Sequence, residues 1–299
     1  MARQDIAALL TLGAALLIAV GDVIQQRSAH DVTDQPVGAF ALFTRLLRNR
    51  RWWAGSLVAA AGFGLQAAAL GLGSVLLVQA LLVSSLLFAL PINAKVCHRR
   101  ITRWQWIWAV LLAGAVAVIV TVGNPQAGQA RGSLEAWAVV AAVMGPALLL
   151  CLAGARIVSG AARAVLLALV SGSLWGLFAV LTKGVVDQLG LGIWALLRAP
   201  ELYVWVVVAI AATAWEQSAF RAGALTASLP TVTIAEPVVG SVLGVAVLGE
   251  TLNTNDVGWV VLGVAIAVMV VATAQLARSE AAAAAQPGDS PQRPARASA

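Results

Sequence analysis

Charge is what this chain has least of. Only 11% of its 299 residues are Asp, Glu, Lys or Arg, where a soluble domain carries about a quarter. That excludes a soluble enzyme tethered by a single anchor. Cysteine is scarce as well: Cys97 and Cys151 each stand near the end of an apolar run, and Cys97-His98 is the one adjacent pair of ligand type. Neither a disulfide framework nor a metal site follows from two such residues. Also missing are HExxH, GxSxG, a P-loop and a dinucleotide fingerprint, so no enzyme activity, no catalytic residue and no cofactor is expected. Without a phosphate-binding loop, a pump driven by ATP on this chain is excluded, and energy must come from ion or solute gradients.

What is present is apolar: 61% of the residues, with a mean hydropathy of +0.89. Apolar runs cover about 6–27, 52–72, 74–97, 103–122, 133–155, 164–187, 201–221, 223–249 and 256–277. Each is too long for a strand and near the roughly 20 residues that cross a bilayer as a helix. The fold expected is therefore all-α, a polytopic membrane bundle of about nine transmembrane helices. Membrane lipid is the surrounding partner, and a homodimer is compatible with it. The net charge of +6 and pI near 10.6 do not point to nucleic acid, because the basic residues sit in short loops where topology accounts for them.

Those loop charges set an orientation. Arg27, Arg45, Arg48, Arg50, Arg51, Arg99, Arg100, Arg103, Arg156, Arg163, Arg221 and Arg278 collect on one side, against Arg3, Arg131 and Arg198 on the other. The positive side is cytoplasmic, which places the N-terminus outside, the C-terminus in the cytoplasm and the protein in the cytoplasmic membrane. By the same rule the first run is a retained helix and not a signal peptide. Trp52, Trp53, Trp104, Trp106 and Trp137 fall at helix ends, where indole favours the interface. Residues 37–47 are amphipathic and too short to cross, and lie at the interface or re-enter; Leu189 to Ala199 is a matching short piece before Pro200. Residues 279–299, rich in Ala, Pro, Ser and Gln, read as a disordered cytoplasmic tail.

Two halves share a layout. Gln66, a Gly71 and Gly73 break and a long third run correspond to Gln217, Gly223 and a long eighth run. The loops after these long runs carry opposite charge, Arg99, Arg100 and Arg103 against Glu250 and Asp256. Inverted repeats give that pattern. The membrane domain, 1–278, divides into repeat one at about 6–122, a linker helix at about 133–155 and repeat two at about 164–277.

An ionisable group at mid-membrane costs about 2.5–3.5 kcal/mol on insertion scales, so it faces the bundle interior or water. Glu236 is the deepest, beside Pro237 and two turns after Pro230. Both prolines are expected to break the eighth helix, and a carboxylate beside a broken helix is where inverted-repeat transporters place substrate or coupling-ion sites. The competing reading is a neutral Glu236 hydrogen-bonded as packing glue. Asp22, Gln25, Gln26, Gln66, Gln79, Ser84, Ser85, Lys183, Glu216 and Gln217 form a second tier on the substrate or ion pathway. Snorkelling to the headgroups is the competing reading for Asp22 and Glu216, and Lys183, towards the outer end, can simply reach out; interhelical hydrogen bonding is the competing reading for the amides and serines. Gly172 and Gly176 are a small-xxx-small pair for close helix packing.

The segments Ala19 to Arg27, Trp52 to Gly55, Leu77 to Gln79, Ser173 to Lys183, and Gln217 through Glu236-Pro237 to Leu248-Gly249-Glu250 resemble the drug/metabolite transporter (EamA-like) superfamily. Within it they are most similar to the NIPA-type magnesium transporter branch. The resemblance covers about residues 6–277. It implies inverted repeats around a central cavity and, for the branch, nine spans and divalent-cation transport. Ala80 departs from the pattern, standing where a helix-breaking proline is expected in the third span, which makes the first half of the pocket less broken than the second.

Three readings stay open. One is a secondary transporter exporting a small organic solute in exchange for protons, with Glu236 as the proton-linked group. A second is a magnesium carrier, with Glu236, Glu216 and Asp22 as outer-sphere ligands, since magnesium keeps several waters and needs only one or two carboxylates. A third is a non-transporting assembly subunit, which a purely apolar interior would favour. A cavity lined by Trp175, Trp215 and glutamines favours the first; converging carboxylates favour the second.

Overall fold

Hydrocarbon offers no hydrogen bonds, so a chain of this composition must satisfy its backbone within each segment, which helices do. The computed structural model describes residues 2–32, 50–96, 100–222 and 225–285. Among these, nine helices are long and apolar enough to cross a membrane, giving an all-α polytopic bundle. In chain order the elements are α1 (Ala2–Val32), α2 (Arg50–Leu72), α3 (Val75–Leu82), α4 (Ser85–Val96) and α5 (Arg103–Gly123). Then come α6 (Leu134–Ile157), α7 (Gly160–Gly190), the short α8 (Ile193–Arg198), α9 (Pro200–Arg221), α10 (Leu225–Leu248) and α11 (Asp256–Ala285). Together α3 and α4 make the third span. Two-residue strands β1 (Pro125–Gln126) and β2 (Thr251–Leu252) pair antiparallel and tie the loop after α5 to the loop after α10.

Consecutive spans alternate in direction. One end of the bundle, here the N-end, gathers the start of α1, the α2–α3 junction, both strands and the start of α9. Gln4 there donates to the Pro125 carbonyl at 3.2 Å, and Gln129 N–H donates to the Leu248 carbonyl at 2.7 Å. At the opposite end, the C-end, Gln105 of α5 donates to Ser279 of α11 at 3.2 Å. The pairs α1–α2 and α7–α9 pack along their lengths, α5 packs on α11, and α7 runs parallel to α10.

Burial shows which helices are central. Six of the eight residues of α3 are buried, whereas Ala155 is the one buried residue of α6, whose Val139, Val143, Leu149 and Leu150 stand exposed. Large exposed apolar side chains on a bundle of this composition are the surface that lipid covers. Ala69, Leu70, Val75, Val78, Val180, Leu243, Val247 and Leu248 form an apolar plug across α2, α3, α7 and α10 towards the N-end.

Two expectations need correction. The break foreseen at Pro230 and Pro237 is absent: α10 is one helix through both prolines. Each proline removes one backbone bond, which packing against a neighbouring helix can compensate, and α7 lies close along this segment at Gly172 and Gly176. The interruption falls instead in the third span at Val83-Ser84, between α3 and α4, although Ala80 is no proline. Paired serines compete for the backbone and are a recognised cause of helix bends; Ser84 N–H donates back to the Leu81 carbonyl at 3.0 Å there. The tail also begins later than residue 279, since α11 continues to Ala285 through a run of alanines, the strongest helix formers. Residues 286–299 and the amphipathic segment 37–47 lie outside the described residues.

Candidate functional site

The site is a cavity of about 270 Å³ between α1, α2, α3, α4, α9 and α10. Its polar lining is Gln66, Gln79, Ser85, Asn93, Glu216, Thr233 and Glu236, set among Phe63, Leu82, Leu86, Leu229 and other apolar side chains. Among the described residues no Lys, Arg or His lines it. Among the described residues no three His, Cys, Asp or Glu come together as a metal site.

Helix geometry explains the depth. Gln79 stands on the second turn of α3, about 6 Å along the axis from Val75 at 1.5 Å per residue. Glu236 is midway along α10, and Asn93, Val23 and Leu229 lie towards the C-end. The lining thus runs from just beneath the N-end, past mid-bundle, to the opposite side.

Close backbone approach shapes the walls. A Cβ on Gly240 would sit 2.5 Å from Nε2 of Gln79, and one on Gly176 would sit 2.6 Å from the Gly240 nitrogen. Glycine at these two positions lets α3, α10 and α7 meet, and it brings Gln79 against α10. Gln79 is 1% exposed and its Nε2 has no hydrogen-bond partner among the described residues. A buried amide without a partner costs free energy unless water or a ligand meets it, and Gln79 lines the cavity that would bring one.

Glu216 is held by its neighbour. Trp175 Nε1 of α7 donates to Glu216 Oε2 at 3.0 Å. Trp175 stacks on Phe63 with centroids 6.4 Å apart and meets Phe178 edge-on at 5.3 Å; Phe178 in turn stacks on Trp205. Trp205 Nε1 donates to Thr182 Oγ1 at 2.8 Å. A row of four rings therefore stiffens the wall behind the carboxylate.

Of the residues singled out from sequence, Glu236, Glu216, Gln66, Gln79 and Ser85 line this one cavity. Others do not. Ser84 is buried outside the lining, and Gln217 is exposed on the far face of α9. The helix bearing Asp22 and Gln25 is described, but their side chains are not. Trp215 packs against the apolar cluster of Ala155, Leu167, Ala168, Ala219 and Val232 and does not line the cavity. Lys183 neither lines the cavity nor reaches outward: it is buried and its Nζ lies 2.7 Å from Glu250 Oε1. The pair stands at the N-end, where Gly249, at φ +65°, ends α10 and turns Glu250 inward. Asn93, Thr233 and Phe63 were not foreseen, nor was the inward role of Glu250. A glutamate directly after a helix-ending glycine, in a loop without Lys or Arg, was the signal available for the last. A second ion pair, Arg131 with Glu201, joins the loop after β1 to the start of α9.

No family model matches the chain, and no solved structure matches it. An uncharacterised protein of Corynebacterium glutamicum is 38% identical over 285 residues, which cover 93% of this chain and 97% of that one.

Proposed function

The chain belongs to the same family as the Corynebacterium protein, aligned nearly end to end, and from that premise we propose that it is a secondary transporter of the drug/metabolite type. It moves a small solute across the cytoplasmic membrane, with its N-terminus outside and its C-terminus in the cytoplasm. The observation that carries the reading is the gathering of Glu216, Glu236, Gln66 and Gln79, from four separate helices, around one cavity. Carboxylates inside a membrane bundle are expensive, and they serve a pathway when they face a shared cavity and not lipid. The volume is near the lower end of cavities that hold small organic ligands, and the aromatic row behind Glu216 supplies an apolar wall. The packing of the first two spans on each other, mirrored by the sixth on the seventh, with the third span on the eighth and the fourth on the ninth, supports two inverted repeats around that cavity.

The direction is export, with Glu236 as the group that takes up and releases the coupling proton. A magnesium reading keeps one observation in its favour, two carboxylates on the same cavity with no basic side chain beside them among the described residues; a hydrated magnesium ion needs no more. One assay separates the readings. Purified protein in liposomes is given a metabolite panel and, separately, magnesium, under an imposed proton gradient. Proton-driven accumulation of an organic solute supports the proposal. Magnesium flux alone supports the second reading, and no flux of either leaves a non-transporting subunit.

A further inference from the structure

Only one turn of α3, Val75 to Val78, separates the cavity residue Gln79 from the N-end; Ser74 Oγ caps that turn by accepting from Leu77 N–H at 3.1 Å, and Glu250 holds the two N–H groups before it. Glu250 Oε1 accepts from Val75 N–H at 2.7 Å and from Lys183 Nζ at 2.7 Å, while its Oε2 accepts from Leu76 N–H at 2.9 Å. The Glu250 side chain is 0% exposed and that of Lys183 is 7% exposed. Val75 and Leu76 come from the first half of the chain, and Lys183 and Glu250 from the second. We propose that Glu250 is the latch that keeps the N-end of the cavity shut, and that it must release α3, Lys183 or both before that end can open. The proposal rests on the transport reading, since only a protein that passes a solute needs this end to open.

Two physical arguments carry it. First, the carboxylate sits on the free N–H groups that open α3, where the helix dipole favours an anion. Holding Glu250 therefore fixes the start of the helix that presents Gln79 to the cavity. Gly244 leaves room for it: a Cβ there would stand 2.9 Å from Glu250 Oε2. Second, the rest of the closure is apolar, with Val78, Val180, Val247 and Leu248 around the pair. A buried ion pair is a poor way to gain stability, because packed apolar side chains of similar volume do as well or better. It differs from them in what happens on opening. Separated apolar surfaces meet water at a loss, whereas a separated carboxylate and ammonium recover their hydration. A charged closure can thus alternate between shut and open states, as alternating access requires.

The test reads accessibility at both ends without any solute. In full-length protein with Cys97 and Cys151 replaced by Ser, single cysteines are introduced as Val180→Cys, in the layer beneath the latch, and Ala89→Cys, in the cavity wall towards the C-end. A membrane-impermeant maleimide is then applied from each side of sealed liposomes. Glu250→Gln keeps an acceptor oxygen and removes the charge. The expected result is labelling of Val180→Cys from the N-end about tenfold faster, with slower labelling of Ala89→Cys from the other side, the reciprocal change of a shifted two-state equilibrium. Unchanged labelling at both positions, or a rise at both from a loosened bundle, overturns the latch. Should Glu250→Gln not yield folded protein, Lys183→Met is read in the same way. The exchange Lys183→Glu with Glu250→Lys restores the charge pair, but lysine accepts no bond from Val75 or Leu76; it should label like Glu250→Gln, and wild-type labelling would remove α3 from the latch. A reciprocal shift in a protein that moves no tested solute would defeat the transport reading alone. Wild-type flux with unchanged labelling in Glu250→Gln would defeat the latch alone.

Discussion

Adding one methyl group at Gly176 should damage the bundle more than its size suggests. A Cβ there would stand 2.6 Å from the Gly240 nitrogen, 2.8 Å from the Glu236 carbonyl oxygen and 3.1 Å from the Val239 Cβ. Ordinary contact begins at 3.4 Å, so α7 and α10 must part by the 0.8 Å between 2.6 and 3.4 Å. The nearest two atoms are backbone and cannot rotate away, which places the cost near the top of the overpacking range, about 3 kcal/mol. Replacing a helical glycine by alanine returns about 1 kcal/mol. Gly176→Ala should therefore destabilise by about 2 kcal/mol, a fall in Tm of about 4–8 °C. Gly114→Ala, at an exposed position of α5 with nothing within 4 Å of its Cβ, makes the same chemical change and should raise Tm by a few degrees. Both variants are scanned in detergent at one heating rate, because unfolding of such proteins is often irreversible. If Gly176→Ala melts with Gly114→Ala, the close crossing of α7 and α10 is refuted.

Trp175→Phe keeps the ring beside Phe63 and Phe178 but removes the donor to Glu216. A hydrogen bond is worth about 0.5–1.5 kcal/mol net, so half-saturation for the transported solute should rise by about two- to tenfold, measured as initial flux against concentration. Lys183→Met strands the buried Glu250 carboxylate and should cost about 3–5 kcal/mol, while Lys183→Met with Glu250→Gln should recover most of that in the same thermal scan; equal losses in the two would show that the pair is not coupled. Single cysteines at Ser133 and Ser159, which precede and follow the nearly unburied α6, should label from opposite faces of the membrane. Labelling of Ser133→Cys from the cytoplasm reverses the proposed orientation.

The architecture was legible because bilayer thickness acts on length and composition directly. Among the described residues the nine apolar runs became nine helices long enough to cross a membrane, with ends displaced by a few residues where alanine runs or capping decided the boundary, as at Ala285 and at Ser133, whose hydroxyl caps α6. Local helix chemistry was read less well. Proline predicts a lost hydrogen bond, but whether the helix parts there depends on its neighbours. Pro230 and Pro237 sit where α7 packs tightly, and the interruption went to Val83-Ser84. Polarity within an apolar span singled out Glu236, Glu216, Gln66 and Gln79, and these four line one cavity. It could not separate Lys183 or Gln217 from them, because facing direction around a helix of uniformly apolar sequence leaves little periodic signal. The partner of Lys183 lies 67 residues away, at a position that reads as a loop charge until Gly249 is seen to turn it inward.

The most direct test of the central claim is Glu236→Gln in liposomes, with exchange and net accumulation of solute measured separately. That change keeps the shape of the side chain and one acceptor oxygen while removing its titration. If Glu236 couples solute movement to protons, exchange across the membrane should persist near the wild-type rate and accumulation against a gradient should be lost. Transport at the wild-type rate with unchanged pH dependence would contradict the account and leave Glu236 a packing residue.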